Sequence, residues 1–160
     1  MSNREFWFVV GSQFLYGPEV LQTVARRAQE MTDALNASGR LPCRVVYKVT
    51  AKTNKEITDV VREANYAENC AGIVTWCHTF SPSKMWINGL ANLQKPYCHL
   101  ATQYNMEIPN DEIDMDFMNL NQAAHGDREH GFIGARMRSK RKIIAGYWKE
   151  EPVRERLGTW

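Results

Sequence analysis

The chain has 160 residues, 44% hydrophobic and 24% charged, which is ordinary usage for one soluble domain built on one core. Its 20 Lys and Arg against 18 Asp and Glu leave a formal charge of +2 spread along the sequence, so no concentrated patch marks a nucleic-acid or membrane partner, and a small neutral ligand or a protein fits better. The polar start before a short apolar run excludes a signal peptide, no stretch is long enough to span a membrane, and four cysteines without paired spacing need no disulfide framework; a reduced, cytoplasmic protein is expected.

Residues 6–10, Phe-Trp-Phe-Val-Val, form a continuous apolar run ending in Gly11-Ser12, the pattern of a strand buried on both faces. After Gly17-Pro18, the apolar residues Leu21, Val24, Ala28, Met31 and Leu35 recur three and four apart, which predicts an amphipathic helix that Gly39 can terminate. A second strand is predicted over 43–49. Thr53 with Glu56 then makes a capping-box pattern before a helix carrying Ile57, Val60, Val61 and Ala64.

The unit repeats: a strand over 71–77, then Ser81-Pro82 as N-cap and first-turn proline of a helix carrying Trp86, Leu90 and Leu93. A fourth strand is predicted over 97–101. A polar loop follows over 104–114, with the acidic residues Glu107, Asp111, Glu112 and Asp114 in it and Asp116 just beyond, reading as solvated. A helix is expected from about Met115 onward and a fifth strand over 143–148. The basic run over 136–142 lacks interleaved aromatics and reads as a solvated turn.

Sustained alternation of strands with crossover helices predicts an α/β, doubly wound three-layer sandwich whose parallel five-stranded sheet takes the flavodoxin-like order 2-1-3-4-5. Residues 1–150 are expected to form this amino-terminal, Rossmann or flavodoxin-like domain. Residues 151–160, with Val153, Leu157 and Trp160 on one helical face, are expected to begin a helix cut short on its way into a central domain.

Ligands of such sheets bind beyond the carboxyl ends of the strands at the switch point between the first and third. Two loops are thereby selected, residues 11–18 and 78–84. The first offers Gln13 and Tyr16 but lacks dinucleotide or P-loop spacing; the alternative is that Gly11 and Gly17 serve tight turns while Leu15 and Tyr16 cap the sheet edge. Cys77-His78 and Cys98-His99 invite a zinc reading, yet adjacent strand residues point to opposite faces, so neither pair converges on one ion. Asn119, Gln122, His125 and Glu129 recur three, three and four apart and would share a helix face suited to sugar hydroxyls, or simply to water. Gly126, Gly131 and Gly134 on the same helix suggest close packing against another element. No nucleophile elbow, zinc-protease helix or paired-carboxylate motif is present.

Three blocks carry a resemblance. Phe8-Val9-Val10-Gly11-Ser12-Gln13-Phe14-Leu15-Tyr16-Gly17-Pro18-Glu19, His78-Thr79-Phe80-Ser81-Pro82-Ser83-Lys84-Met85-Trp86-Ile87-Asn88-Gly89-Leu90, and Ile113 to Gly126 with Gly131 to Arg138 resemble the L-arabinose isomerase family, in order and over essentially the whole chain. The resemblance implies a longer protein with this domain first, an aldose–ketose isomerase of arabinose catabolism that interconverts L-arabinose and L-ribulose with a divalent ion, usually manganese. It implies that the metal-binding glutamates and histidines come later, so the 160-residue chain by itself is expected to hold no metal and to be inactive. It further implies a homohexamer in which this domain lends Gln13, Leu15, Tyr16, Phe80, Gln122 and His125, as substrate-binding residues, to a neighbouring subunit's metal site, with D-galactose as a second possible sugar. Two rival readings are an autonomous flavodoxin-like small-molecule binding domain, marked by a bound flavin, and a pure oligomerisation module.

Overall fold

The computed structural model describes residues 3–111 and 113–160; Met1, Ser2 and the acidic-loop residue Glu112 lie outside the described residues. Five strands, β1 (Glu5–Gly11), β2 (Arg44–Ala51), β3 (Cys70–Cys77), β4 (Tyr97–Ala101) and β5 (Lys142–Ala145), form one parallel sheet in the order β2-β1-β3-β4-β5. This is the predicted order. The fifth strand is shorter than expected, because Gly146 turns away with φ +135° and Trp148 instead donates its backbone N–H to Thr102 Oγ1 at 3.1 Å.

Strand residues alternate between two faces. Phe6, Phe8 and Val10 of β1, Val74 and Trp76 of β3, and Cys98 and Leu100 of β4 pack with Val24, Ala28, Met31 and Leu35 of helix α1 (Gly17–Ala37). Val153 and Leu157 of helix α6 (Glu151–Thr159) complete that layer, and the Trp160 ring lies 5.0 Å from that of Phe6. On the opposite face Trp7, Val9 and Ile73 meet Ile57, Val60, Val61 and Ala64 of helix α2 (Asn54–Tyr66). Thr53 caps α2 as its spacing predicts, its Oγ1 accepting from Glu56 N at 3.2 Å, while the Glu56 carboxylate accepts from Lys52 N at 2.6 Å.

Two expected helices take a different form. After β3 the chain makes a 3-10 turn (Ser83–Trp86) and a short helix α3 (Ile87–Ala91). Ser81 is not the N-cap; Pro82 holds that position, and the Ser81 hydroxyl is buried, accepting from Trp86 Nε1 at 3.0 Å. The single helix expected from Met115 is two helices, α4 (Met115–Leu120) and α5 (Ala123–Arg136). Asn121 closes α4 by donating its side chain to Phe117 O at 2.9 Å, and the backbone N–H of Gln122 goes to His78 O at 2.9 Å. An amide that prefers local backbone bonding and a long-range carbonyl together win over helix continuation.

Helix α5 is unusual in how it is held. Ala123 is the one apolar residue among its buried positions, beside Gly126, His130 and Gly134. A Cβ at Gly126 would lie 3.2 Å from Cys77 Cβ, so that glycine does serve the close approach to β3. Gly131 faces open space.

Candidate functional site

Both selected loops meet at the carboxyl edge of the sheet, between β1 and β3. The Ser12 and Thr79 hydroxyls lie 2.6 Å apart, both side chains buried, and Gln13 Nε2 donates to Phe80 O at 2.9 Å. Gly11 is the backbone point that permits this crossing, since a Cβ there would sit 2.6 Å from the Ser81 side chain. Gly17, with φ +79°, is the residue that takes the turn before α1. Tyr16 contacts Gln13 and the Phe80 backbone; burial raises its phenol above the ordinary value, with those hydrogen bonds opposing the shift.

The α4–α5 junction completes the edge. The Phe80 and His125 rings lie 4.4 Å apart at 56°, and Gln122, anchored through its backbone to His78, donates its side chain to Asn119 Oδ1 at 3.2 Å. Gln13, Tyr16, Phe80, Gln122 and His125 are thus linked through a few hydrogen bonds and ring contacts. Leu15 is not drawn in: it projects from the same loop, 82% exposed. The four residues expected on one helix face are divided, because Asn119 belongs to α4, Gln122 caps α5, and the Glu129 carboxylate is turned to the loop, accepting from Ser83 N at 2.9 Å.

Beside this cluster opens a cavity of about 950 Å³, bounded by the ends of β4 and β5, the loop after β4, and α4. Gln122 and His125 stand on its wall with Phe117, Met118, Ile108 and Tyr147. The acidic loop is therefore partly a wall rather than wholly solvated, and Asp114 serves as the α4 N-cap, accepting from Phe117 N at 2.7 Å.

Several participants carry no sequence signal that singled them out. Arg27 of α1 donates to His78 Nε2 at 2.9 Å and lies 4.4 Å above the Tyr104 ring, whose hydroxyl donates to Glu30. His78 is stacked 4.8 Å from Trp76, and burial, with the Arg27 charge adding to it, pushes its pKa down to about 3. It is a neutral acceptor. The available clue was Arg27 itself, a basic residue within the apolar stripe of Val24, Ala28 and Met31.

Cys98 and His99 do face opposite sides of the sheet, the thiol into the α1 layer and the imidazole toward α5. Among the described residues no three His, Cys, Asp or Glu side chains converge as a divalent ion requires. The described residues thus offer no set that fits the manganese the resemblance implies. Among the described residues no helix is long and apolar enough to cross a membrane.

Comparison with known proteins finds a family described as the L-arabinose isomerase N-terminal domain matching residues 1–160. The L-arabinose isomerase of Flavobacterium johnsoniae is 57% identical over 160 residues, covering 100% of this chain and 32% of that protein. Those of Enterobacter sp. (strain 638) and Klebsiella pneumoniae are each 54% identical, over 159 and 158 residues, covering 99% of this chain and 32% of theirs. The chain thus spans about a third of the length of these relatives.

Proposed function

The chain belongs to the L-arabinose isomerase N-terminal domain family, and from that membership we propose that it is the sugar-contacting amino-terminal domain of an L-arabinose isomerase, presenting Gln13, Leu15, Tyr16, Phe80, Gln122 and His125 to a site completed by a neighbouring subunit. The observation that carries the reading is the meeting of three distant segments at one edge, Gln13 bonded to Phe80 and Phe80 against His125. Amides and an imidazole both donate and accept, which suits the hydroxyls of L-arabinose or D-galactose, and the apolar ring face of Phe80 suits the C–H side of a sugar.

The manganese is then held by residues this chain does not carry, and the active unit is a cytoplasmic homohexamer. Support for an assembly surface comes from Phe14, Leu15, Met106, Ile108, Ile113 and Met118, large apolar side chains all exposed around the loops of this edge. In the absence of a complete site, the 160-residue chain alone is inactive.

The test grafts this chain in place of the matching segment of the Flavobacterium johnsoniae enzyme. The chimera should form L-ribulose from L-arabinose with manganese, and His125→Ala should cut turnover while leaving manganese affinity nearly unchanged. Mixing His125→Ala subunits with subunits defective in metal binding should restore activity. No recovery despite confirmed mixed assembly would refute a site shared between chains.

A further inference from the structure

Helix α5 places Gln122 and His125, yet apolar packing scarcely holds it. Its N-terminal half is fixed instead by polar groups on the inward side: Gln122 N to His78 O, Glu129 to Ser83 N, and Asp127 Oδ1 to His99 Nε2 at 2.7 Å. The last contact is the deepest, the His99 side chain being 2% exposed and that of Asp127 16%. Behind it His99 Nδ1 lies 2.8 Å from Thr75 Oγ1, which lies 3.1 Å from the Tyr97 hydroxyl. His130 stacks on His99 at 4.6 Å and meets Trp86 edge-on at 5.1 Å. The contact therefore joins α5 to β4 and, through Thr75, to β3.

We infer that Asp127, paired with His99, is a positioning residue that sets the register of α5 on the sheet and thereby the placement of His125 against Phe80. This rests on the reading of His125 as a sugar contact, but its geometric half is independent of it. Asp127 lies two residues beyond His125, about half a turn of helix, so the side that Asp127 locks and the side that His125 presents move as one body. Hydrogen bonds fix a direction and a distance, which a face of glycines and one alanine does not.

The protonation of the pair follows from burial. Burial raises the Asp127 carboxyl, to about 8, and lowers the His99 imidazole, to about 4, so across the neutral range the pair shares one titratable proton. With that proton on Asp127 the carboxyl donates to His99 Nε2, and with it on His99 the imidazolium donates to the carboxylate, so the bond between them stands either way. The other titratable groups facing the pair are His130 on α5, driven well below its ordinary value by burial and by His99, and Tyr97 on β4 and Cys77 on β3, both raised by burial. Glu129 acts at Cys77 and Arg141 at Tyr97 from farther off. Above about pH 8 a neutral His99 in its Nε2–H tautomer still donates to the Asp127 carboxylate, so the lock outlasts the loss of that proton.

Asparagine is the neutral isostere. In the 160-residue chain, proton NMR should show ring–ring contact signals between Phe80 and His125 in wild type and Asp127→Asn, and their loss in Asp127→Ala. Wild type and Asp127→Asn should both keep those signals through pH 8, since Asp127 hydrogen-bonds to His99 in either protonation state. In the chimera, Asp127→Ala should lower kcat roughly tenfold to a hundredfold, the scale of a misplacement of about an ångström, and Asp127→Asn should restore it at pH 7. If Asp127→Ala does not fold, Asp127→Glu, which keeps the carboxyl but displaces it by one methylene, takes its place and should weaken the same signals. Unchanged Phe80–His125 contact in Asp127→Ala, or in Asp127→Glu where the alanine variant does not fold, overturns the inference. A contact that is lost in Asp127→Ala, in a chimera whose turnover ignores His125→Ala, would instead sink the sugar-contact reading and leave the lock standing.

Discussion

Gly11→Ala is expected to be strongly destabilising, because the added methyl has no room at the sheet edge. A Cβ there would lie 2.6 Å from both Cβ and Oγ of Ser81 and 2.9 Å from Cζ2 of Trp86, and both neighbours are buried. Neither can retreat easily, since the Ser81 hydroxyl holds Trp86 Nε1 at 3.0 Å. Overpacking of this kind costs about 1–3 kcal/mol. Losing the buried hydrogen bond adds about 1 kcal/mol, and the stiffer unfolded chain returns about 0.4–1 kcal/mol. A net loss of about 1–3.5 kcal/mol should appear as a lower urea midpoint at unchanged slope, followed by tryptophan fluorescence. Ser81→Gly removes two of the three colliding atoms, so the double mutant should be more stable than the sum of the singles predicts. Gly17→Ala provides the contrast, for it meets nothing within 4 Å and would lose only the backbone strain of φ +79°, about 1–3 kcal/mol, without coupling to Ser81. A Gly11→Ala protein within about 0.5 kcal/mol of wild type, or additive with Ser81→Gly, would refute the crossing-point argument.

Stability should peak near pH 6.5. His78, His99 and His130 are held below their ordinary value by burial, so the unfolded chain binds their protons first and stability falls as pH drops below about 6.5, over a window reaching about 4 for His99 and about 3 for His78. Asp127, raised to about 8, keeps a proton that the unfolded chain releases near 4, so its contribution falls as pH rises from about 4 to 8; the histidines outweigh it below about 6.5, and above that stability falls with pH. Urea midpoints across pH 4–9 measure both arms; a flat or rising alkaline arm would contradict the Asp127 assignment. Leu157→Ala should cost about 2–5 kcal/mol, because Leu157 is fully buried in the α1 layer. Equal stability of the chain with and without residues 151–160 would show that α6 is not part of this core.

The sheet order was legible because a buried parallel strand writes itself as an apolar run and α1 and α2 write themselves as stripes of Val, Ile and Leu at helical spacing. The location of the candidate edge followed from that order by the switch-point rule. What stayed hidden depends on partners far apart in the chain. The break between α4 and α5 turns on Gln122 N reaching His78 O, forty-four residues back by the numbering, which no local propensity encodes. Asp127 likewise looks like an ordinary surface charge until His99 is placed opposite it, and Arg27, though it stands within the apolar stripe of α1, has no evident partner until His78 is in place. Gly11 was open to a turn reading, yet its task is to leave room for the side chains of Ser81 and Trp86. Thr75 and His99 were the visible irregularity, polar residues in apolar strands, and both lie where α5 lacks an apolar face to offer.

That pattern bears on why a sugar-contacting edge would be built this way. A helix seated by apolar side chains is placed by shape alone, because burial itself is not directional. One seated by Asp127, Gln122 and Glu129 has three bonds to break before His125 can move. The same economy runs along the β1 loop in reverse. Ser12 is fully buried and bonded, while Leu15, three residues on, is 82% exposed beside an exposed Phe14. Full burial of such a leucine side chain is worth about 1.5–3 kcal/mol, so a neighbouring subunit seated on this loop would gain affinity from the residue that contributes nothing to the isolated domain. On the proposed reading the edge is thus divided in two: hydrogen-bonded amides and an imidazole already in place when the sugar arrives, and exposed apolar side chains to be covered by the partner that completes the site.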